Sequence, residues 1–192
     1  MKTAHTQLFL PAVLLLLVLF SAPAYSASPQ ESINQLVDVF AHWNSSKVTP
    51  ELSAAAEHYI DYATMAELAL GEDQWKQLTP GQREHFIVAF RQLIEQRYYV
   101  RWHRIFKSGK LHFDSEDPGT AGDSLVKTTV SSGENTQAVI WRMRRDNGNY
   151  KVISLATEQR DLLTILQPRL DKVLAKRGFN GLVAWLQTSS KP

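Results

Sequence analysis

No cysteine occurs in the 192 residues, so disulfide staples, a thiolate nucleophile and a thiolate-based metal site are all excluded. A dominant charge is missing too. The 21 basic and 19 acidic residues leave a formal net charge of +2, far from the basic excess of a nucleic-acid binder. Glycine-rich phosphate loops, the G-x-S-x-G elbow and H-E-x-x-H are absent. Five histidines follow the N-terminal segment (His42, His58, His85, His103, His112), and no two of them form an i, i+4 pair. His58 beside Glu57 and His85 beside Glu84 offer acid–base groups, but neighbours in sequence diverge on a helix. The sequence therefore predicts no catalytic residue, cofactor or metal ligand, and a hydrolase built on His85 is the weakest reading.

What is present begins with an apolar run, Leu8 to Phe20, behind Lys2 and ahead of the small residues Ala24 and Ser26. This pattern predicts a cleaved signal peptide over residues 1–26. An uncleaved anchor is the alternative, although the run falls short of the ~20 residues that span a bilayer. No cysteine follows it, which excludes a lipoprotein. Cleavage leaves residues 27–192, 166 of the 192, with a net charge of +1 once Lys2 is gone. That is one exported domain, large enough for a core without staples.

Helix signals come first. Ser28-Pro29-Gln30-Glu31 reads as a capping box with proline at the first helical position, opening a stripe of Ile33, Leu36, Val37 and Phe40. Thr49-Pro50 opens a second helix. Asp61 caps a third that carries Met65 and Leu68 and stops at Gly71. Thr79-Pro80-Gly81-Gln82 opens the longest, to about Phe106, with Phe86, Phe90, Leu93, Ile94, Tyr98, Trp102 and Ile105 predicted to share one face.

Near Lys110 the period changes. Leu111 to Phe113 starts a first strand, broken by Pro118 to Gly122. Leu125 to Ser131 sets Val126, Thr128 and Val130 on one face, and Gln137 to Arg144 sets Val139, Trp141 and Met143 opposite Arg142 and Arg144. Asn147-Gly148 turns the chain into a fourth strand, Tyr150 to Leu155. Short turns predict an antiparallel meander. Helical spacing returns from Leu162 to Leu174, where Pro168 is expected to kink or break the run, and Gly178 separates a last short helix with Leu182, Trp185 and Leu186. The predicted class is α+β: N-terminal helices, a four-stranded antiparallel meander and C-terminal helices.

Arg97, Arg101 and Arg104 recur at i, i+4, i+7 beside Tyr98 and Trp102. They make either a solvated helix face or a contact for anionic headgroups or an acidic partner. Arg142, Arg144 and Arg145 raise the same question on the sheet. The apolar faces of the long helix and the strands are equally two-sided, since periodicity cannot separate a filled interior from a lined pocket.

A resemblance bears on that choice. Asp61-Tyr62-Ala63-Thr64-Met65, Ala69-Leu70-Gly71, Trp75, Leu78-Thr79-Pro80, Gln82-Arg83, Phe86, Ala89-Phe90-Arg91-Gln92-Leu93 and Tyr98 follow one another in the order of the MlaC family of toluene-tolerance auxiliary proteins. Tyr150-Lys151-Val152 looks like its W-K-V strand, and Gly178 to Leu186 its closing segment. The resemblance implies a periplasmic phospholipid carrier without catalysis or cofactor. Its partners would be an inner-membrane ABC transporter with an MCE-domain protein and an outer-membrane lipoprotein complex. One segment departs: Glu158 is kept, but Gln159, Arg160 and Asp161 stand in place of G-V-S, and Ile165, Leu166 and Gln167 in place of N-Y-R. This departure bears on ligand type and docking, and it leaves open a periplasmic adaptor that binds no lipid.

Burying hydrocarbon is worth ~0.8 kcal/mol per CH₂, so a tail requires an apolar lining that a single arginine–phosphate contact, at ~1–3 kcal/mol, cannot replace. The expected lining is Met65 on the third helix, Phe86, Phe90 and Ile94 on the long helix, Val126, Val130, Val139, Trp141, Met143, Ile153 and Leu155 on the strands, and Leu162 beyond them. Arg97, Arg101 and Arg104 are the expected headgroup or partner contacts.

Overall fold

A computed structural model describes residues 27–190 except Ser46, Glu158 and Gln159, together with the backbone of Arg160. The predicted signal peptide, and Glu158 and Gln159 of the departing segment, lie outside the described residues. Among the described residues five helices precede the sheet: α1 (Pro29–Ala41), α2 (Pro50–Glu57), α3 (Tyr62–Leu70), α4 (Glu72–Gln77) and the long α5 (Pro80–Phe106). The strands are β1 (Lys110–Pro118), β2 (Ser124–Ser132), β3 (Asn135–Asp146), β4 (Asn149–Thr157) and the two-residue β5 (Arg160–Asp161), and α6 (Leu162–Ser189) closes the chain.

The helix starts are set by side chains that satisfy orphan N–H groups. Ser28 Oγ accepts from Glu31 N at 3.1 Å, Thr49 Oγ1 from Leu52 N at 3.3 Å and Asp61 Oδ1 from Thr64 N at 2.9 Å. Thr79 and Gln82 cap each other reciprocally. Gly71, at φ 84°, ends α3 and at once begins α4, a helix the sequence did not announce, which buries Trp75.

The sheet runs β1-β2-β3-β4-β5 in order, all neighbours antiparallel. It is the expected four-stranded meander with a short fifth strand added at one edge. Val126, Thr128 and Val130 of β2 and Val139, Trp141 and Met143 of β3 are buried together on one face. A bulge between Arg142 and Met143 pairs Met143 with Val152 rather than Ile153. One extra residue reverses the alternation. Val152 thus joins the contiguous core, while Ile153 is buried but stands outside it. Backbone bonds from Val152 to Tyr59 and Asp61 cover that stretch of the β4 edge.

Two expectations change. Pro168 does not break α6, which continues through it; the kink falls at Gly178, at φ 63° and ψ −175°. Pro168 and Thr164 are both exposed, so water can satisfy the carbonyl that loses its N–H partner. The aromatic residues of α5 also do not share one face. Each step of four residues advances about 40° around a helix, so from Phe86 to Trp102 the row turns by roughly 160°. The first half of α5 buries Phe86, Phe90, Leu93 and Ile94, and the second half buries Tyr99, Trp102 and Phe106, leaving Tyr98 and Ile105 half-buried. Among the described residues no helix is long and apolar enough to cross a membrane.

Candidate functional site

The helix and sheet faces meet in a filled interior. Trp141 stacks on Phe106 with centroids 5.5 Å apart, and its Nε1 donates to Thr128 Oγ1 at 2.9 Å, which itself donates to the Val139 carbonyl. Phe40 of α1 packs edge-on against Tyr99 at 4.9 Å and Trp102 at 5.5 Å. All twelve residues expected to line a pocket are buried. Eleven belong to one contiguous apolar cluster with α1, α3, α5 and α6, and Ile153 at the bulge is the exception.

Open space lies at the edge of this cluster, on either side of Tyr98. A cleft of about 110 Å³ is bounded by Tyr98, Arg101 and Trp102 of α5, Leu155 and Thr157 of β4, and Leu162 and Ile165 of α6. A second, of about 100 Å³, is bounded by Leu93, Arg97, Tyr98, Leu166, Arg169, Trp185 and Ser189. Predicted lining residues Leu155 and Leu162 therefore reach the first cleft directly. A roomier hollow of about 340 Å³ lies beside Tyr62 and Arg91, but Glu57, Asp61, Arg91 and Lys151 give it four charged walls. Hydrocarbon has no reason to prefer it.

Arg97 and Arg101 come together around Tyr98 as their spacing predicts, and the structure adds Arg169 of α6, which sequence reasoning missed. Arg97 Nε donates to the Ser189 carbonyl at 2.6 Å, tying α5 to the end of α6. Among the described residues no carboxylate lines either cleft. Burial pushes the Tyr98 phenol above its ordinary range, against the pull of the positive charges on Arg169, Arg97 and Arg101. Arg104 is exposed on the same stripe and lines neither cleft. On the outer face of the sheet Arg142 and Arg144 have a structural partner: both hold the buried Asp123 carboxylate, at 2.7 and 2.8 Å.

The segment that departs from the family pattern borders the first cleft. Asp161 caps α6 by accepting from Leu163 N at 2.8 Å and Thr164 N at 3.1 Å, and it accepts from Ser154 Oγ of β4 at 2.5 Å. Ile165, one helical turn on, is 40 % exposed at the mouth.

A polar group sits deeper, where α3 meets α5. The Tyr62 and Tyr99 hydroxyls bond each other, and the Arg91 guanidinium lies 5.1 Å over the Tyr62 ring while pairing with Glu95 at 2.7 Å and Glu57 at 2.9 Å. Burial raises both phenols well above the ordinary tyrosine range, and for Tyr62 the neighbouring Tyr99 adds to it. Below about pH 10 neither state ionises and the pair's contribution is intact. At higher pH unfolded tyrosines ionise while the folded pair stays protonated, so stability falls as pH rises. Denaturant unfolding between about pH 9 and 11 should show this loss. The Tyr62→Phe, Tyr99→Phe double variant should show a shallower loss, and equal slopes would refute the assignment.

The MlaC protein family model matches residues 30–188. Among solved structures, the chain resembles a phospholipid-binding protein from Ralstonia solanacearum, crystallised in complex with a phospholipid. The two align with a TM-score of 0.67 and 17% sequence identity, over 84% of this chain and 93% of that one.

Proposed function

The chain belongs to the MlaC family, and from that premise we propose that it is a non-enzymatic periplasmic phospholipid-binding protein. After removal of residues 1–26, the single domain of residues 27–192 carries lipid between an inner-membrane ABC transporter with its MCE-domain protein and an outer-membrane lipoprotein complex. The phospholipid held by the structurally similar Ralstonia protein supports the ligand class. The observation that carries the reading is the first cleft, where the apolar cluster reaches the surface beside the Arg101 guanidinium.

At about 110 Å³ this cleft is below the roughly 300–1,000 Å³ of an ordinary ligand pocket, so holding a tail requires it to widen. A tail enters by parting Trp102, Leu155 and Leu162. It then runs along Val139, Trp141 and Met143 of the sheet and Phe86, Phe90, Ile94 and Met65 of the helices, with Val126, Val130 and Ile153 at the flanks. Arg97 and Arg101, with Arg104 one turn beyond, meet the headgroup. Each buried CH₂ contributes ~0.8 kcal/mol toward separating these side chains.

Lipid extraction and native mass spectrometry of protein isolated from cells test the proposal. Roughly one phospholipid per chain is expected, with its tails entering at the first cleft. Protein that is lipid-free as isolated and takes up none from vesicles would end the carrier reading. The filled interior favours one rival, an adaptor that docks to an envelope complex and binds no lipid. That rival predicts partner capture unaffected by Val139→Trp, which fills the interior further.

A further inference from the structure

The proposed carrier reading leaves the headgroup open, and three guanidinium groups around Tyr98 narrow it: Arg101 borders the first cleft, Arg97 and Arg169 the second. Arg97 and Arg101 reach Tyr98 from α5 and Arg169 reaches it from α6, so cations from two separate elements converge on one half-buried ring that walls both clefts. By contrast, Arg91 is neutralised by Glu95 and Glu57, and Arg142 and Arg144 by Asp123. Among the described residues that line the two clefts, the uncharged polar groups are Thr157, Ser189 and the Tyr98 phenol, and none is anionic. Arg97 spends its Nε on the Ser189 carbonyl, and a guanidinium has five N–H donors, so most of its capacity is left. Arg101 and Arg169 are exposed, and among the described residues no acid pairs with either of them.

Resting on the carrier reading, we propose that this arginine triangle selects phospholipids of net negative charge, such as phosphatidylglycerol, over zwitterionic ones. Any phospholipid phosphate can accept from the guanidiniums. A zwitterionic headgroup also brings an ammonium group into a field of three cations, whereas a glycerol headgroup brings only hydroxyls. Charge near a lipid surface is worth about 1 kcal/mol per basic residue, which corresponds to roughly fivefold enrichment when one such unfavourable contact is avoided. Arg169, although it comes from α6, should therefore matter as much as Arg101.

Delipidated full-length mature protein would be offered equimolar phosphatidylglycerol and phosphatidylethanolamine vesicle lipid with identical acyl chains, and the bound species counted by native mass spectrometry. The expected ratio is about five in favour of phosphatidylglycerol. In an Arg101→Gln, Arg169→Gln double variant it should fall to near one, while Lys127→Gln, which removes one positive charge from the outer face of the sheet, should leave it at five. A parallel arm with millimolar inorganic phosphate separates a headgroup site from a site for free phosphate: the former keeps its ratio, and the latter loses enrichment as phosphate binds. A ratio of one in the unmodified protein, an unchanged ratio in the double variant, or loss of enrichment to phosphate overturns the selectivity while leaving the carrier intact. Absence of bound lipid in every arm overturns both.

Discussion

Trp141→Ala is expected to destabilise the fold by about 3–5 kcal/mol, the range for a fully buried tryptophan reduced to alanine. Trp141 has no solvent exposure and occupies the centre of the sheet, paired with Val126 on one side and Leu155 on the other. Its ring stacks on Phe106, at the end of α5, so it is the contact through which the meander holds the long helix. Loss of the indole also deprives Thr128 Oγ1 of its donor, at about 1 kcal/mol. For a domain of this size such a change lowers the thermal midpoint on the order of 10 °C. Trp141→Phe keeps an aromatic ring against Phe106 but gives up the N–H bond and leaves a small void, so it should cost about 2–3 kcal/mol. Thermal and denaturant unfolding of the two variants distinguish a ring that fills the interior from one that leans against a loose wall. A cost below about 1 kcal/mol for Trp141→Ala would mean that the sheet and α5 are not in tight contact in solution.

Much of this packing was legible because short-range rules dictate it. Proline after a capping residue located the starts of α1, α2 and α5, and Asp61 and Gly71 bracketed α3. Strict alternation along β3 named Val139, Trp141 and Met143 as one face. The misses arise where a local rule is overridden by something longer in range. A bulge opposite Met143 exchanged Val152 for Ile153, and no residue type in Tyr150 to Leu155 signals it. The rotation of the i, i+4 row along α5 exchanged Tyr98 and Ile105 for Tyr99 and Phe106, which is predictable in principle from the 40° residual per step but only when the helix is known to be continuous. Pro168 predicts a kink or a break, and a helix interrupted there does not carry Arg169, its neighbour, onto the same surface as Arg97 and Arg101. The arginine stripe on α5 was legible; its completion from α6 is a tertiary fact.

Leu162→Asp is the corresponding expectation for the ligand: retention of phospholipid should fall roughly 100-fold, because a carboxylate replaces apolar wall where hydrocarbon enters. The position is chosen from how the clefts can open. The meander is laced by backbone hydrogen bonds, and α6 is anchored to β4 at its first residue by β5 and by Ser154 to Asp161. Between α5, α6 and β4 beyond that anchor, Trp102, Leu155, Leu162 and Ile165 meet through side chains, which part without breaking a ladder. Leu162 is buried and stands at the first position of α6, where the helix dipole favours an acid by about 0.5 kcal/mol. Part of the lost burial, about 2 kcal/mol, is offset in this way, and the variant should remain folded at room temperature. Leu162→Ala supplies the comparison, since it removes contact area without adding charge and should weaken retention by no more than about tenfold. Lipid transfer from vesicles to protein, measured beside thermal unfolding, reads both effects separately. A folded Leu162→Asp protein that holds phospholipid as firmly as the parent would place the entrance elsewhere, and with it the line along which helices and sheet must come apart.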